Sequence, residues 1–412
     1  MKTNRKIEVS KHLVLESSEG TEGEDVIFNN TTGNRAAVNQ QTVALLAILR
    51  SPLTITELLE KVQANTSEER EIFETHIETL LQQTLLVWSD QVDAQLATSQ
   101  ELASEDLVAS QTTTFARCPS AKLDEIQSGA YVFCGVGIDF ATTAKSGAKL
   151  GPAALRLVSA QFLTYDRDIF TRANRGWYNA DLGRTILKGC HFQDVGNVSH
   201  ILGENPATFY ARVQKTAETV CAAGGIPIFL GGDHSITAPL VEGCILNQED
   251  DVLVIHLDAH TDLGEWVVGS THHHGNVMRK LLSHCPNVSL VQLGVRGFSG
   301  EPDSNDRCTT ITQAELEYSL EDVLLSLPKG KKCYISIDVD ALDPSYAPGT
   351  GTPVPMGMHP RQMLSILKQV AEHNYVIGID LVELCPDQDR GDITSSLMFH
   401  MLMSLLGYID AK

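Results

Sequence analysis

Three short segments of the sequence combine carboxylates and imidazoles at a spacing that suits metal ions. In LDAHTD (257–262) acidic residues and a histidine recur every second position, so an extended backbone would point all of them to one face. SIDVDALDP (336–344) repeats this alternation, and GGDHS (231–235) adds a second histidine. Burying so many charges without a cation would be costly. The predicted metal ligands are His234, Asp258, His260, Asp262, Asp338 and Asp340.

The number and type of these side chains indicate two cations. Taken singly, each segment could be a turn, a helix cap or a solvated pair, but together they suit two ions that share bridging carboxylates. Oxygen donors with imidazole nitrogens favour Mn²⁺, with Co²⁺, Ni²⁺ or Fe²⁺ as alternatives, and argue against soft sites built from Cys. Two cations roughly 3.5 Å apart can share a water and lower its pKa toward neutrality. The expected chemistry is hydrolysis by a hydroxide bridging two metals.

The segments that carry these residues each follow a short apolar run, typical of a strand that is covered on both faces. The predicted strands span residues 131–136, 226–230, 252–257, 288–294, 333–337 and 376–379. Helical patterns lie between them, for example over 206–223 and 360–373. We therefore expect a parallel α/β sheet with helices on both sides and a site at the carboxyl ends of its strands.

The first 90 residues have a different pattern. Residues 7–15 and 26–28 alternate like short strands, 38–49 has helical spacing, and 85–88 again reads as a strand. TITE (54–57) and TSEE (66–69) are typical capping boxes at the start of two further helices. This order predicts a small winged-helix domain over 1–90. Residues 91–127, rich in polar side chains, are predicted to be a linker, and 128–412 the catalytic domain.

Charge and composition restrict the partners and the compartment. The formal net charge of −21 would repel phosphate backbones and anionic lipids, so neither nucleic acid nor a membrane is expected as a partner. The nine cysteines include no CxxC pair, which indicates a reduced protein of the cytoplasm. The first residues contain no apolar run long enough for a signal peptide, and no stretch of about 18 apolar residues occurs, so we expect neither secretion nor a membrane span.

Over residues 128–412 the chain resembles the arginase/agmatinase/formiminoglutamase superfamily, the ureohydrolases. GGDHS, DAHTD, SIDVDALDP and the DLVEL segment match the signatures of this superfamily in the same order, and GAKLGP (147–152), followed by Ala154 and Arg156, resembles its early glycine-rich loop. The resemblance implies a three-layer α/β/α arginase-like fold with a parallel sheet, and a homo-oligomer, usually a trimer or hexamer.

The resemblance also implies roles for individual residues. One cation would be held by His234, Asp258, Asp262 and Asp338, and the other by His260, Asp258, Asp338 and Asp340. Asp262 would relay a proton to the leaving amine, and His274 in HHHGN would shuttle protons. Glu383 would pair with the guanidinium of the substrate, since a fork of donors facing a carboxylate is a strong contact. Asp380 and Asp343 are interpreted as structural or supporting residues.

Two departures bear on the substrate. Arginases that act on free arginine carry an Asn where this chain has Gly264 and an Asp where it has Ser299, so the contacts to a free amino acid are missing. The N-terminal domain resembles the PqqD-like elements that bind leader peptides by strand addition; the alternatives are an oligomerising or a DNA-binding winged helix, the latter disfavoured by the acidic chain. The whole chain is therefore interpreted as a peptide arginase that converts arginine residues of a ribosomally made precursor to ornithine. The alternatives are a small-molecule ureohydrolase (agmatinase, guanidinobutyrase or guanidine hydrolase) and a degenerate sensor.

Overall fold

The computed structural model forms two compact units, Met1–Leu102 with His200–Phe209 and Ala103–Ser199 with Tyr210–Lys412. It describes residues 107–163, 174–201, 203–246, 250–264, 273–298 and 306–411 of the chain. Toward the N-terminus it describes residues 6–9, 13–16, 25–29, 35–38, 48–49, 53–62, 64, 66–82 and 86–88.

The N-terminal unit contains two antiparallel sheets and two helices in its described residues. In one sheet β1 (Lys6–Val9) lies between β5 (Leu53–Thr54) and β6 (Leu86–Trp88). The other sheet consists of β2 (Leu13–Glu16), β3 (Asp25–Asn29) and β4 (Arg35–Val38). Helices α1 (Ile55–Lys61) and α2 (Ser67–Gln82) have a small apolar core of their own, which includes Leu58 and Leu80.

The predicted elements of this unit are confirmed in part. Both capping boxes are present, because Thr54 and Thr66 each exchange hydrogen bonds with the glutamate three positions later. The strand predicted at 85–88 is β6, and the one predicted at 7–15 is divided into β1 and β2. The helix predicted over 38–49 is described only at its ends: Val38 belongs to β4 instead, Ile48 is helical, and residues 39–47 lie outside the described residues.

The larger unit is built on a sheet of nine strands, counted over the described residues. In spatial order these are β15 (Cys308–Thr312), β14 (Val288–Val295), β13 (Val252–Leu257), β16 (Lys332–Asp338), β17 (Tyr375–Val382), β12 (Ile226–Gly231), β8 (Tyr131–Val136), β11 (Phe192–Val198) and β7 (Val108–Ala109). All neighbours are parallel except β7, which pairs antiparallel with β11. A separate hairpin joins β9 (Trp177–Asn179) and β10 (Arg184–Ile186). This mostly parallel sheet is the α/β architecture that the sequence predicts.

Helices cover both faces of this sheet. They are α3 (Gly151–Phe162), α4 (Pro206–Ala222), α5 (Thr237–Ile245), α6 (Val277–His284), α7 (Gln313–Ser326), α8 (Pro360–His373) and α9 (Ile393–Ile409). On one face α3, α7, α8 and α9 share a continuous apolar core with the strands. On the other face α4 and α5 pack closely, since a Cβ on Gly243 would lie 2.8 Å from the Cβ of Ala217. None of the described helices is both long and apolar enough to cross a membrane.

Three strands of the sheet, β7, β11 and β15, are not predicted from apolar runs. β11 reads FQDVGNV, and its Gln193 and Asp194 are buried although they are polar. Asp194 forms a two-pronged ion pair with Arg156 of α3, with Nε–Oδ2 at 2.8 Å and Nη2–Oδ1 at 2.9 Å. Asp194 also accepts the backbone N–H of Phe115 at 2.8 Å. Arg156, noted in the glycine-rich loop, is thus a structural residue.

The predicted linker over 91–127 is too long at its C-terminal end. Residues 108–109 form the edge strand β7, and the ring of Phe115 stacks on Phe133 of β8 with a centroid distance of 4.2 Å. This segment is polar in composition, but its few apolar residues are buried in the larger unit. Residues 107–127 therefore belong to the larger unit, and residues 91–106 lie outside the described part of the chain.

Candidate metal centre

The strand ends that carry the predicted ligands are neighbours in the sheet. β13, β16, β17 and β12 lie side by side and run in the same direction, so their carboxyl ends meet at one edge. At the end of β12 the chain needs Gly232, because a Cβ there would overlap the backbone of Ile138. Asp233 then caps the short 3-10 helix His234–Ile236 by accepting the N–H of Ser235 at 3.1 Å. This turn places His234 toward the adjacent strand ends.

The ring of His234 lies at the centre of a first cluster of carboxylates. Its Nδ1 is 3.0 Å from Oδ2 of Asp338, 3.1 Å from Oδ2 of Asp258 and 3.2 Å from Oδ2 of Asp262. All four side chains are buried. Residues 234, 258–262 and 338 are far apart in sequence, and the sheet brings one nitrogen and three oxygens together.

A second cluster adjoins the first. Nδ1 of His260 is 3.1 Å from Oδ2 of Asp340 and 3.4 Å from Oδ1 of Asp258. Asp258 thus directs one oxygen toward each histidine, the arrangement expected of a bridging carboxylate. Asp338 directs Oδ2 toward His234, while its Oδ1 accepts the N–H of Asp340 at 2.8 Å. The predicted contact of Asp338 with the second cation stays a prediction.

The electrostatics of the two clusters fit divalent cations. Burial raises the pKa of Asp262 to about 8, and burial together with neighbouring carboxylates raises the pKa of Asp338. Burial opposes a charge on His260, yet Asp258 and Asp340 outweigh it and hold its pKa at about 12. In the absence of a cation, these side chains bind protons because the surrounding carboxylates favour positive charge at this place. Two divalent cations would supply that charge directly, and the oxygen and imidazole donors suit Mn²⁺.

A buried hydrogen-bond chain supports His234 from behind. Its Nε2 is 3.0 Å from Oγ of Ser336, whose hydroxyl donates to Oδ1 of Asp380 at 2.7 Å. Tyr334 donates its hydroxyl to the other oxygen of Asp380 at 3.0 Å. This chain leaves Nδ1 of His234 free to act as a ligand. Asp380 is thus a supporting residue, as expected.

Glu383 and His274 lie together beside the first cluster. Oε1 of Glu383 accepts the backbone N–H of His234 at 2.9 Å and lies 3.1 Å from Nδ1 of His274. Among the described residues, every hydrogen bond to Glu383 ends on Oε1. Although Glu383 is buried, its Oε2 receives no hydrogen bond from the described residues and could accept one from a ligand.

The backbone of the loop at Thr143 assigns the proton on His274. The N–H of Thr143 points at Nε2 of His274 at 3.1 Å, and its hydroxyl lies 2.8 Å from the same nitrogen. An N–H can only donate, so Nε2 is the acceptor and the ring proton sits on Nδ1, facing Glu383. The sequence analysis did not single out Thr143, because nothing in GIDFATTAKSG distinguishes it from a turn residue.

Two residues of the site have φ angles that residues other than glycine rarely adopt. Asp262 has φ of 50° and Glu383 has φ of 61°, both in the left-handed region. Such positions cost free energy and persist where the surrounding structure requires them, often at functional sites. Here Glu383 directly follows β17, and Asp262 lies in the loop five residues after the end of β13; at both places the chain turns an acidic side chain into the cluster.

One buried histidine of the centre was missed by the sequence analysis. His256 lies on β13 with its Nε2 2.8 Å from Oδ2 of Asp258, and it can be grouped with the ligands of the first cluster. A signal existed, because the alternation of Asp258, His260 and Asp262 extends backward by one step to His256. It was overlooked because His256 falls inside the apolar strand.

The structure also locates the remaining residues of interest. Gly264 lies against the loop that follows His274, with its N–H donating to the carbonyl of Gly275 at 3.0 Å. Asp343 accepts the N–H groups of Ser345 and Gly357 and thus has a structural role, as expected. The position noted at Ser299 lies outside the described residues.

Comparisons with known proteins agree with this geometry. The profile of the Arginase family matches residues 130–407. A mitochondrial agmatinase of Gallus gallus is 33% identical over 293 residues, which is 67% of this chain and 81% of that protein. A mitochondrial guanidino acid hydrolase of Homo sapiens is 33% identical over 287 residues, 66% of this chain and 76% of its own. A crystal structure of a hypothetical agmatinase from Burkholderia thailandensis superposes with a TM-score of 0.63 at 27% identity, covering 74% of this chain and 95% of that one.

Proposed function

Because the chain belongs to the arginase family, we propose that it is a hydrolase that splits a guanidino group into urea and an amine with the help of two divalent cations. The observation that carries this proposal is the pair of adjoining clusters joined by Asp258, whose two oxygens face His234 and His260. A single site would not require a carboxylate divided in this way.

The residues that would hold the cations follow from these distances and from the family resemblance. His234, Asp258, Asp262 and Asp338 would hold one ion. His260, Asp258, Asp338 and Asp340 would hold the other. Mn²⁺ fits this mixture of oxygen and imidazole donors best. When bound, two such cations lower the pKa of water toward neutrality and so supply a nucleophile.

The remaining side chains would bind and orient the substrate. Oε2 of Glu383 is available to accept hydrogen bonds from a guanidinium, and a carboxylate facing this fork of donors fixes its plane. Water adds to the guanidino carbon, the bond to the substituted nitrogen breaks, and that nitrogen leaves with a proton. Asp262 would pass this proton to the amine. His274, with its proton on Nδ1, can exchange protons at Nε2 once Thr143 moves away.

The substrate class follows in part from Gly264. A Cβ at this position would lie 2.7 Å from the carbonyl oxygen of Gly275, closer than real Cβ atoms approach a backbone. The Asn that arginases acting on free arginine carry at this position would therefore not fit here unless the loop beside His274 moved. This favours small guanidino compounds without the amino-acid head, such as agmatine or 4-guanidinobutyrate, the class named in the related enzymes.

A second candidate is an arginine side chain within a peptide, which would become ornithine. What favours it is the N-terminal unit, which precedes the family match and has its own small core. Strands β5 and β6 each pair with β1 alone in the described residues, so each offers a sheet edge to which a leader peptide could add a strand. Binding of the leader would raise the effective concentration of the arginines to be hydrolysed.

Urea release by the Mn²⁺-loaded full-length protein tests these proposals. The substrates would be agmatine, 4-guanidinobutyrate, guanidine, free L-arginine and an arginine-containing precursor peptide. We expect turnover of agmatine or 4-guanidinobutyrate and little turnover of L-arginine. Turnover of the peptide alone would replace the first candidate by the second. No urea from any of these compounds would refute the proposed function.

A further inference from the structure

His256 lies directly behind the carboxylate that joins the two clusters. It precedes Asp258 by two residues on the same face of β13 and has no exposed surface. Its Nε2 is 2.8 Å from Oδ2 of Asp258, the oxygen that also faces His234. Its Nδ1 is 3.0 Å from Nε2 of Gln292 on the adjacent strand β14. His256 thus connects a candidate ligand to a second layer of polar side chains.

The contacts of Gln292 determine which way its amide points. Its oxygen accepts the hydroxyl of Thr310 at 3.0 Å and lies 3.6 Å from the thiol of Cys308. Its nitrogen is 2.5 Å from the carbonyl oxygen of Thr261, which can only accept. The amide nitrogen therefore also donates to Nδ1 of His256. Since Nδ1 accepts, the ring proton sits on Nε2 and is donated to Asp258.

We propose that His256 is a positioning residue of the metal centre: Gln292 selects its tautomer, and its Nε2–H holds the Asp258 carboxylate so that one oxygen faces each cluster. The inference rests on the proposed function, because it takes Asp258 as a ligand of both cations. Hydrogen bonds of this kind orient metal ligands, and their loss typically weakens metal binding by about 10- to 100-fold. Because Asp258 joins both clusters, the loss of its partner weakens the binding of both ions.

The test compares two substitutions of His256 by their affinity for Mn²⁺, measured on metal-free full-length protein by competition with a chelator. His256→Phe keeps a flat ring but removes the donor, and we expect Mn²⁺ to bind about 10- to 100-fold more weakly. His256→Gln keeps an N–H₂ group near the position of Nε2, and we expect affinity within about three-fold of the parent protein. Rescue by Gln separates hydrogen bonding from packing.

A matched control exists on the surface. His284 of α6 also contacts a carboxylate through one ring nitrogen, with Nδ1 2.9 Å from Glu242, but half of its side chain is exposed. His284→Gln is expected to leave Mn²⁺ affinity unchanged. If His256→Phe does not fold, as judged by thermal unfolding in EDTA, Gln292→Met takes its place. That variant removes the donor to Nδ1, and we expect at least a several-fold loss of Mn²⁺ affinity.

Unchanged Mn²⁺ affinity in His256→Phe, or in Gln292→Met where it takes that place, would overturn the inference. An equal loss in His256→Phe and His256→Gln would also overturn it, because packing would then explain the effect. These outcomes differ from a failure of the proposed function. A parent protein that binds fewer than two Mn²⁺ ions or releases no urea refutes that function, whereas a fully active parent with an unaffected His256→Phe refutes only the role of His256.

Discussion

Replacing Glu383 by Gln isolates the contribution of a single negative charge to substrate binding. Gln keeps an oxygen that can accept the backbone N–H of His234, which Glu383 now accepts at 2.9 Å. The fold at this position should therefore survive. What disappears is the charge on a side chain that is only 2% exposed and whose Oε2 receives no hydrogen bond from the described residues.

The size of the effect follows from this burial. Removing one partner of a buried ion pair costs about 3–5 kcal/mol, because the other charge is left uncompensated. Each 1.36 kcal/mol corresponds to about a factor of ten in rate or affinity. We therefore expect kcat/KM for a guanidino substrate to fall by about two to four orders of magnitude. KM should rise, because the guanidinium is charged before the reaction begins.

The assay is urea release over a range of agmatine concentrations, combined with a measurement of bound Mn²⁺. Mn²⁺ content should stay at the parent value, since Glu383 is not among the proposed ligands. Glu242→Gln is the matched control, because Glu242 also faces a histidine Nδ1, at 2.9 Å, but is partly exposed and belongs to neither of the two clusters. A kcat/KM of Glu383→Gln within three-fold of the parent would show that another group binds the guanidinium.

Four further predictions concern the loop, the cations, the core and the N-terminal unit. Gly264→Asn should lower kcat/KM for every guanidino substrate by about 10- to 100-fold, because the loop beside His274 must shift, and a gain of L-arginine turnover would contradict this. The second prediction concerns the metal-free protein in EDTA. Burial raises the pKa of Asp262 from 3.8 to about 8. Between about pH 4 and 8 the folded protein therefore binds more protons than the unfolded chain. The melting temperature of the metal-free protein should consequently fall as pH rises through this window. The difference in melting temperature between the Mn²⁺-loaded and the metal-free protein should therefore increase with pH, and a decrease in thermal scans would contradict this prediction. Arg156→Met should lower the free energy of unfolding, measured in urea, by about 3–5 kcal/mol, because it leaves the carboxylate of Asp194 buried and unpaired. A loss below about 1 kcal/mol would show that this ion pair does not stabilise the fold. Deleting residues 1–102 should leave Mn²⁺ stoichiometry and agmatine turnover intact, because all proposed ligands lie in the larger unit, and lost Mn²⁺ binding would show otherwise.

The order of residues along the chain was sufficient for the fold class and for the candidate ligands. Six apolar runs identify six of the parallel strands, since a strand covered on both faces has to be apolar throughout. Alternation at period two places Asp258, His260 and Asp262 on one face of an extended segment. These are local properties, because they depend only on the geometry of neighbouring residues.

Sequence patterns were less informative where polar groups are buried. The strand that contains Asp194 has no apolar run, because its carboxylate is neutralised by Arg156, which is 38 residues away in the sequence. His256 and Gln292 are buried for a similar reason, as partners of one another across β13 and β14. Complementary polar pairs of this kind leave no periodic signal, since each partner looks like an ordinary solvated residue.

From the sequence alone, the protein can be described as a parallel α/β hydrolase with a set of metal-binding side chains at its strand ends. Only the tertiary structure decided that Asp258 divides its oxygens between His234 and His260, and that no described residue forms a hydrogen bond with Oε2 of Glu383 beside them. It also decided that Gly264 leaves no space for a larger side chain. These features depend on distances of a few ångströms between strands, and such distances arise from the packing of the whole sheet.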